Sequence, residues 1–303
     1  MSCVVGLDLG GTNIKGLAVS PGGKVLAETM TPTGDCGTPA WTKNVREALR
    51  ALRSTLRHEP DLIGLAAPGL PSRDQRSIAC MPGRLPGLEN LIWQEFFGVS
   101  HLVPVLNDAQ AALLGEVWRG AAKGAHNVVL LTLGTGVGGA AMVDGHLLRG
   151  HIGRAGHLGH ISLDPRGAPD VTGTPGSLEN AIGDCTVQAR SGGRFRSTRD
   201  LVAAVRKKDK EAREVWLNSV RSLAAGMASL INVLDPEVII LGGGITQAGV
   251  ALFRPLRDFL QEFEWRPGGS KVRLVSAKLG DRAGAFGVAW NAMQVNGFKL
   301  NQT

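Results

Sequence analysis

The segment Leu7-Asp8-Leu9-Gly10-Gly11-Thr12, followed by an apolar stretch to Val19, has a second version in Leu131-Thr132-Leu133-Gly134-Thr135-Gly136, followed by an apolar stretch to Val143. Each copy reads as a buried strand, a tight glycine turn and a returning strand, a β-hairpin whose turn presents backbone N–H groups. A chain with this hairpin in each half points to duplicated domains facing one another across a cleft, each offering an anion-binding nest. The 303 residues, 43% of them hydrophobic, suffice for two such domains with cores of their own. Glycine is abundant, at 42 residues, while tyrosine is absent, a balance that suits backbone turns brought close to a ligand.

Apolar runs at Val4 to Leu9, Ile14 to Val19, Lys24 to Thr29, Leu62 to Ala66, Leu102 to Leu106, Val128 to Leu133, Gly139 to Val143, Glu237 to Leu241 and Val272 to Ser276 read as strands. Helical spacing fills Pro39 to Arg57, Asp108 to Arg119, Thr198 to Lys207, Ala212 to Leu234, Ala248 to Phe263 and Ala283 to Val295. Strands alternating with helices predict an α/β fold with largely parallel sheets. The domain boundary is placed near Gly115 to Gly120, giving an N-terminal domain over 1–117 and a larger one over 118–282.

Lys and Arg number 33 against 26 Asp and Glu, a formal net charge of +7 that attracts nucleic acid, phosphorylated metabolites or a nucleotide alike. The basic stretch Arg190 to Lys210 reads as a loop and a solvated helix face rather than a nucleic-acid patch. The cysteines, Cys3, Cys36, Cys80 and Cys185, have no C-x-C or C-x-x-C spacing, which excludes a disulfide framework or cysteine-rich zinc knot and suits a reducing cytoplasm. The N-terminus has no basic lead, Asp8 breaks its apolar run, and no uninterrupted apolar run is long enough to span a bilayer. A soluble, untargeted protein with no membrane partner is expected.

Asp8 places a carboxylate at a strand end beside the glycine turn, able to hold a hydrated Mg²⁺, while Gly10, Gly11 and Thr12 supply N–H and O–H donors to phosphate oxygens. Lys15 in the returning strand joins this candidate cofactor-binding set. The plain alternative is an ordinary glycine hairpin. Gly134, Gly136 and Gly139 satisfy G-x-G-x-x-G, but that dinucleotide fingerprint needs a helix to open at its glycines. Here Ala140-Ala141-Met142-Val143 and an Asp144-Gly145 turn signal read as strand and hairpin instead. No G-x-x-x-x-G-K-[ST] segment exists, so a phosphate site is not of the P-loop type.

Asn107-Asp108 closes a strand and opens a helix, which suits an N-cap; a carboxylate there also suits a general base, and both roles are compatible. His157, His160 and Glu179 have the makings of a metal site, but Gly159 argues against a shared helix face. Hydrogen bonding to a polyhydroxylated ligand is the preferred reading. Val238-Ile239-Ile240-Leu241-Gly242-Gly243-Gly244 runs a buried strand into three glycines, where an adenine could lie against backbone or packing alone could require glycine.

In register, these segments resemble the ROK family of sugar kinases and repressors, within the actin/hexokinase-like ATPase superfamily. The resemblance covers nearly the whole chain and adds Ala67-Pro68-Gly69-Leu70, Leu85-Pro86-Gly87, Gly115-Glu116 and Leu279-Gly280-Asp281 to the motifs above. It implies two RNase H-like domains flanking a central cleft with ATP across it, a last helix (about 283–303) packing back onto the N-terminal domain, and a homodimer. By position it implies Asp108 as base, and Gly10, Gly11, Thr12, Gly134, Thr135 and Gly136 at phosphates. Gly243 and Gly244 would flank adenosine, and Gly69, Asn107, His160 and Glu179 would contact the sugar.

Three departures bear on the acceptor and on zinc. The family's C-x-C-G-x-x-G-C-x-E motif appears as Asp170-Val171-Thr172-Gly173-Thr174-Pro175-Gly176-Ser177-Leu178-Glu179, so zinc is expected to be absent and hydrogen bonds with Pro175 to order the loop. His157 stands where the family commonly has glutamate, replacing an acceptor by an imidazole that both donates and accepts. Arg84 stands where asparagine is common, and joins His157 among the candidate sugar contacts. The expected activity is ATP- and Mg²⁺-dependent phosphorylation of a hexose primary hydroxyl, as in a glucokinase-like enzyme. An amino sugar, N-acetylhexosamine or cyclitol acceptor, a polyphosphate donor, and a non-catalytic sugar-responsive regulator are the alternatives. The regulator is disfavoured because the first hairpin begins at Val4, leaving no room for a DNA-binding domain.

Overall fold

The computed structural model describes residues 2–298. The first half contains β1 (Val4–Leu9), β2 (Asn13–Val19), β3 (Val25–Pro32), α1 (Trp41–Leu56), β4 (Leu62–Ala66), β5 (Leu70–Pro71), β6 (Ile78–Cys80), α2 (Trp93–Phe97), β7 (Val105–Leu106) and α3 (Asp108–Arg119). Then follow β8 (Val128–Leu133), β9 (Val137–Val143), β10 (His146–Leu147), α4 (Leu178–Ile182), α5 (Val187–Arg190), α6 (Thr198–Arg206), α7 (Lys210–Leu234), β11 (Val238–Gly242), α8 (Val250–Phe263), β12 (Arg273–Ser276) and α9 (Ala283–Val295). The final helix, expected to about residue 303, ends at Val295: Asn296 and Gly297 form a turn, with Gly297 at φ 64°, and residues 299–303 lie outside the described residues.

Two compact units result. The first takes the chain up to Gly124, Arg149–Ala155 and the chain from Lys278; the second takes Ala125–Leu148 and Gly156–Ala277. The first unit therefore keeps α3 whole and includes a loop that the sequence reading assigned to the second domain.

The first unit's sheet has the order β3-β2-β1-β4-β7, antiparallel at β1/β2 and β2/β3 and parallel at β1/β4 and β4/β7. Its central strands β1 and β4 are apolar except for Asp8, because both faces of the sheet are covered. Val5, Leu7 and Leu9 face α1, which contributes Trp41, Val45, Ala48, Leu49 and Leu52. Val4, Leu17 and Leu62 share a core with Ala285, Phe286, Ala289 and Ala292 of α9. This helix lies directly on backbone: a Cβ on Gly6 or Gly64 would run into the carbonyl oxygen of Ala285 or Val288, and one on Gly115 of α3 into that of Ala283. Glu116 of α3, 0% exposed, anchors the approach to α9, its carboxylate accepting from the N–H groups of Lys278 (2.9 Å), Leu279 (2.7 Å) and Ala121 (2.7 Å).

The strand expected over Leu102 to Leu106 is only Val105–Leu106. Pro104 has no N–H to add to a ladder, although its carbonyl accepts from Leu65, and the His101 ring takes the Ile63 N–H at 3.2 Å.

The second unit's sheet repeats the topology as β10-β9-β8-β11-β12, with β8/β9 antiparallel and β8/β11 and β11/β12 parallel. Val129, Leu131, Ile239 and Leu241 form one core with Trp216, Val220, Leu223 and Met227 of α7 and Leu252, Leu256 and Leu260 of α8. Asp209 caps α7 by accepting from Ala212 N–H at 2.9 Å, and Asp235, at φ 42°, ends it before Pro236.

Candidate active site

The register pairs Leu9 with Ile14, leaving residues 10–13 as the first hairpin loop. Gly10 N–H is satisfied within the turn by Asn13 C=O at 3.1 Å. Two further loop carbonyls are held by fully buried Thr33, which donates its hydroxyl to Gly10 C=O (2.6 Å) and its N–H to Thr12 C=O (2.8 Å). Among the described residues no acceptor takes the N–H of Gly11 or Thr12, both exposed. With three of its four carbonyls held by donors and the Gly11 and Thr12 amides without an acceptor, the loop is suited to an anion.

The second hairpin reaches the same state with one residue fewer, pairing Leu133 with Val137 around residues 134–136. Gly134 N–H bonds to Gly136 C=O at 2.9 Å, while the N–H groups of Asp184 and Cys185 hold the carbonyls of Gly134 (3.0 Å) and Thr135 (2.8 Å). Among the described residues no acceptor takes the N–H of Thr135 or Gly136. The strand β9 that follows, with no helix, removes the dinucleotide-fold reading of these glycines.

Beside the first loop, Asp8 pairs across the ladder with Lys15, whose ammonium lies 3.2 Å from Asp281. Burial, then the Asp108 charge, push the Asp8 carboxyl up to about 7, and Lys15 only partly offsets them. A hard divalent cation that takes carboxylate and water oxygens fits this donor set, and its charge would relieve the repulsion among Asp8, Asp108 and Asp281.

Asp108 is exposed at the first position of α3, its Oδ1 accepting from Ala109 N–H at 2.8 Å. The cap itself is Asn107, 7% exposed, whose Oδ1 accepts from Ala109 N–H (2.9 Å) while Gln110 Oε1 accepts from Asn107 N–H (3.3 Å). Asn107 Nδ2 donates to Gly69 C=O at 3.1 Å, so these two candidate sugar contacts are joined to each other. Gly69 must be glycine for its φ of 102° and for its contact with the Cys80 carbonyl.

In the second unit, Glu179, 8% exposed, lies against Gly136 and accepts from Val137 N–H at 2.9 Å, which fixes it to the end of the hairpin loop. His160 ends a short 3₁₀ turn, Leu158–His160, that begins after His157. Its Nδ1 bonds to Asp170 Oδ2 at 2.7 Å, leaving Nε2 as the ring's other polar atom. Asp170 also accepts from the Thr172 N–H (2.8 Å) and hydroxyl (2.7 Å) and the Thr174 N–H (3.1 Å). Burial raises its pKa, but the bonds from His160, Thr172 and Ser177 outweigh that and hold the carboxyl well below its usual range. One ligand atom each of His160, Asp170 and Glu179 lies within 4.8 Å of the others, a nitrogen and oxygen set in place of the family's thiolates. Ser177, at the third of the cysteine positions, caps α4 by accepting from Asn180 N–H at 3.2 Å.

Gly243 follows β11 with φ 84°, and a Cβ there would strike the Leu133 carbonyl, so backbone packing alone requires glycine. Gly244, which opens a 3₁₀ turn, faces open space. Arg84 lies with its guanidinium over Gly11 and its Nε 3.4 Å from Asp35 Oδ2. Thr33, Asp35 and the amides of Asp184 and Cys185 were not singled out from sequence. They act from distant positions, Asp184 and Cys185 through backbone atoms that no residue type announces and Thr33 and Asp35 through side chains that no local spacing marks.

The ROK family's sequence profile matches residues 4–295. The chain belongs to the ROK family. This ROK protein is 32% identical to a glucokinase of Halalkalibacterium halodurans, over 96% of this chain and 94% of that one. Its fold is that of the ROK hexokinase of Thermus thermophilus, with a TM-score of 0.86 and 31% identity over 97% and 98% of the two chains. A ROK family glucokinase of Streptomyces griseus, solved in complex with glucose and AMPPNP, superposes with a TM-score of 0.77 and 26% identity over 97% of this chain and 100% of that one. These neighbours bear out the actin-like ATPase fold expected from the motifs, as do the two five-stranded sheets.

Proposed function

We propose that this chain is an ATP-dependent sugar kinase that phosphorylates the primary hydroxyl of a hexose of the glucose type, giving the sugar 6-phosphate and ADP. The matched hairpin loops carry the reading: in both, most carbonyls are held by donors while two amides have no acceptor among the described residues and are left for phosphate oxygens. The relatives named glucokinase and hexokinase support the acceptor class.

In the proposed step Asp108 takes the proton of the sugar hydroxyl as its oxygen attacks the γ-phosphorus. The new O–P bond forms as the bond to the β-phosphate oxygen breaks, and ADP leaves with that electron pair. The Ala109 N–H on Oδ1 and the Asn107 cap hold the carboxylate at the helix start. Asp8 would hold a magnesium ion, which when bound would neutralise charge on the donor phosphates. Glu179 and His160 Nε2 take the sugar hydroxyls, with Asp170 fixing the imidazole and standing in for zinc as the organiser of its loop. Because His157 can donate as well as accept, an amino sugar or N-acetylhexosamine is the second acceptor reading. The proposal places a homodimer in a reducing cytoplasm, where the free thiols of Cys36, Cys80 and Cys185 remain exposed. No helix among the described residues is long and apolar enough to cross a membrane.

The test is ADP release with Mg-ATP across glucose, mannose, fructose, glucosamine, N-acetylglucosamine, N-acetylmannosamine and cyclitols, with Asp108→Ala as the blank. We expect one strong acceptor, a loss of at least about a thousand-fold in turnover in the variant, and nearly unchanged nucleotide binding. A variant with near-normal turnover removes Asp108 from the base role. Silence across the panel with AMPPNP still bound removes the kinase reading in favour of a sugar-responsive regulator.

A further inference from the structure

We propose that Arg84 is a ligand of the transferring phosphate, in place of the sugar contact that its position suggests. The inference rests on the kinase reading and adds to it a phosphate-binding residue that the family motif does not supply.

The residues around Arg84 fix where its charge can go. Leu85 is 1% exposed, so the chain beside Arg84 is pinned into the core, and Trp41 Nε1 donates to Pro86 C=O at 3.0 Å one residue further on. Asp35 grips the same turn twice, its Oδ1 accepting from Leu85 N–H (3.3 Å) and its Oδ2 from Arg84 Nε (3.4 Å). With Nε directed at Asp35, the other edge of the guanidinium lies over the first hairpin loop. A Cβ built on Gly11 would stand 3.2 Å from both Cζ and Nη1 and closer still to Nη2. Glycine at position 11 is what lets the cation approach this closely.

That edge meets the stretch where the Gly11 and Thr12 amides have no acceptor among the described residues. The guanidinium thus lies against the residue whose amide, like that of Thr12, has no acceptor, and a phosphoryl group matches its fork through two oxygens. Arginine also has the reach for this, whereas an asparagine at position 84 would stop several ångströms short. The local balance points the same way. The ammonium of Lys15, across the ladder from Asp8, is already paired with Asp281. Arg84 therefore supplies cationic charge where a polyphosphate must enter. The loop follows Asp8 directly in the β1–β2 hairpin, so a phosphate held there lies beside the carboxylate proposed to hold magnesium.

The decisive experiment is calorimetric binding of AMPPNP and of AMP, without sugar, to the wild type, Arg84→Asn and Arg84→Lys, followed by KM and kcat for both substrates. We expect Arg84→Asn to weaken AMPPNP about ten- to hundred-fold, as losing a charge-assisted bidentate contact does. AMP binding and sugar KM should stay within about two-fold, and Arg84→Lys should recover part of the loss because it keeps the charge without the fork. Melting temperatures within about two degrees of wild type will show that the variants fold. A rise in sugar KM with AMPPNP affinity unchanged would overturn the proposal and assign Arg84 to the acceptor. No change in either constant would also overturn it, leaving the guanidinium as a partner of Asp35 alone. A wild type that fails to bind AMPPNP defeats the kinase reading itself, an outcome distinct from both.

Discussion

Burial beside Asp108 leaves Asp8 with a carboxyl that titrates at about 7, far above its ordinary 3.8. A raised folded-state pKa gives stability that is fully present below the unfolded value and is lost as pH rises through about 7. Asp8→Asn should therefore raise the melting temperature of the ligand-free protein near pH 8 and leave it unchanged near pH 4. Turnover with Mg-ATP should fall at least about hundred-fold in the same variant, since the proposed magnesium ligand is gone. A melting curve at each pH and one rate measurement check both halves. Asp170 has the opposite sign. Its lowered pKa gives stability that is present above the ordinary 3.8 and is lost as pH falls towards the folded value. Its side chain is fully covered, so Asp170→Ala should cost about 1–3 kcal/mol near neutral pH, with the deficit shrinking in acid. As the His160 ring loses its anchor, sugar KM should rise while ATP KM does not, which substrate titrations in the variant will test.

At the scale of elements, α9 depends on glycines in its partners as much as on its own apolar residues. Gly64→Ala would press a methyl against the Val288 carbonyl and should destabilise the first unit by about 1–3 kcal/mol, measurable by urea unfolding. The loop from Gly156 to Glu179 makes a different kind of test: organised by Asp170, it should show no zinc by elemental analysis and no change in melting temperature with a chelator. The elements most readable from sequence were those with sustained patterning. Strands β1, β4 and β8 and helices α3 and α9 begin and end where apolar spacing and caps predict, because each repeats its signal over several residues. The short pieces β5, β6, β10, α2, α4 and α5 were not predicted, since two to five residues carry no period and are held by tertiary contacts. The same limit applies within the site. The glycine loops could be read because both copies share a residue pattern, whereas Thr33 and the Asp184 and Cys185 amides secure those loops through hydrogen bonds that sequence spacing does not reveal.

For the whole molecule, the sheet topologies β3-β2-β1-β4-β7 and β10-β9-β8-β11-β12 make the second unit a repetition of the first, but the first is assembled from three separate stretches of chain. Its core is complete only when α9 covers β1 and β4 and Glu116 has captured the amides of Lys278 and Leu279. That order has a consequence for biosynthesis. At about 5–20 residues per second, β1 leaves the ribosome roughly a quarter of a minute to a minute before α9 follows it. During that interval one face of the oldest sheet in the chain, including Val4, Leu17 and Leu62, has no partner helix. Through most of translation that apolar face is thus open to whatever binds exposed apolar surface on a nascent chain, and it is α9 that closes it.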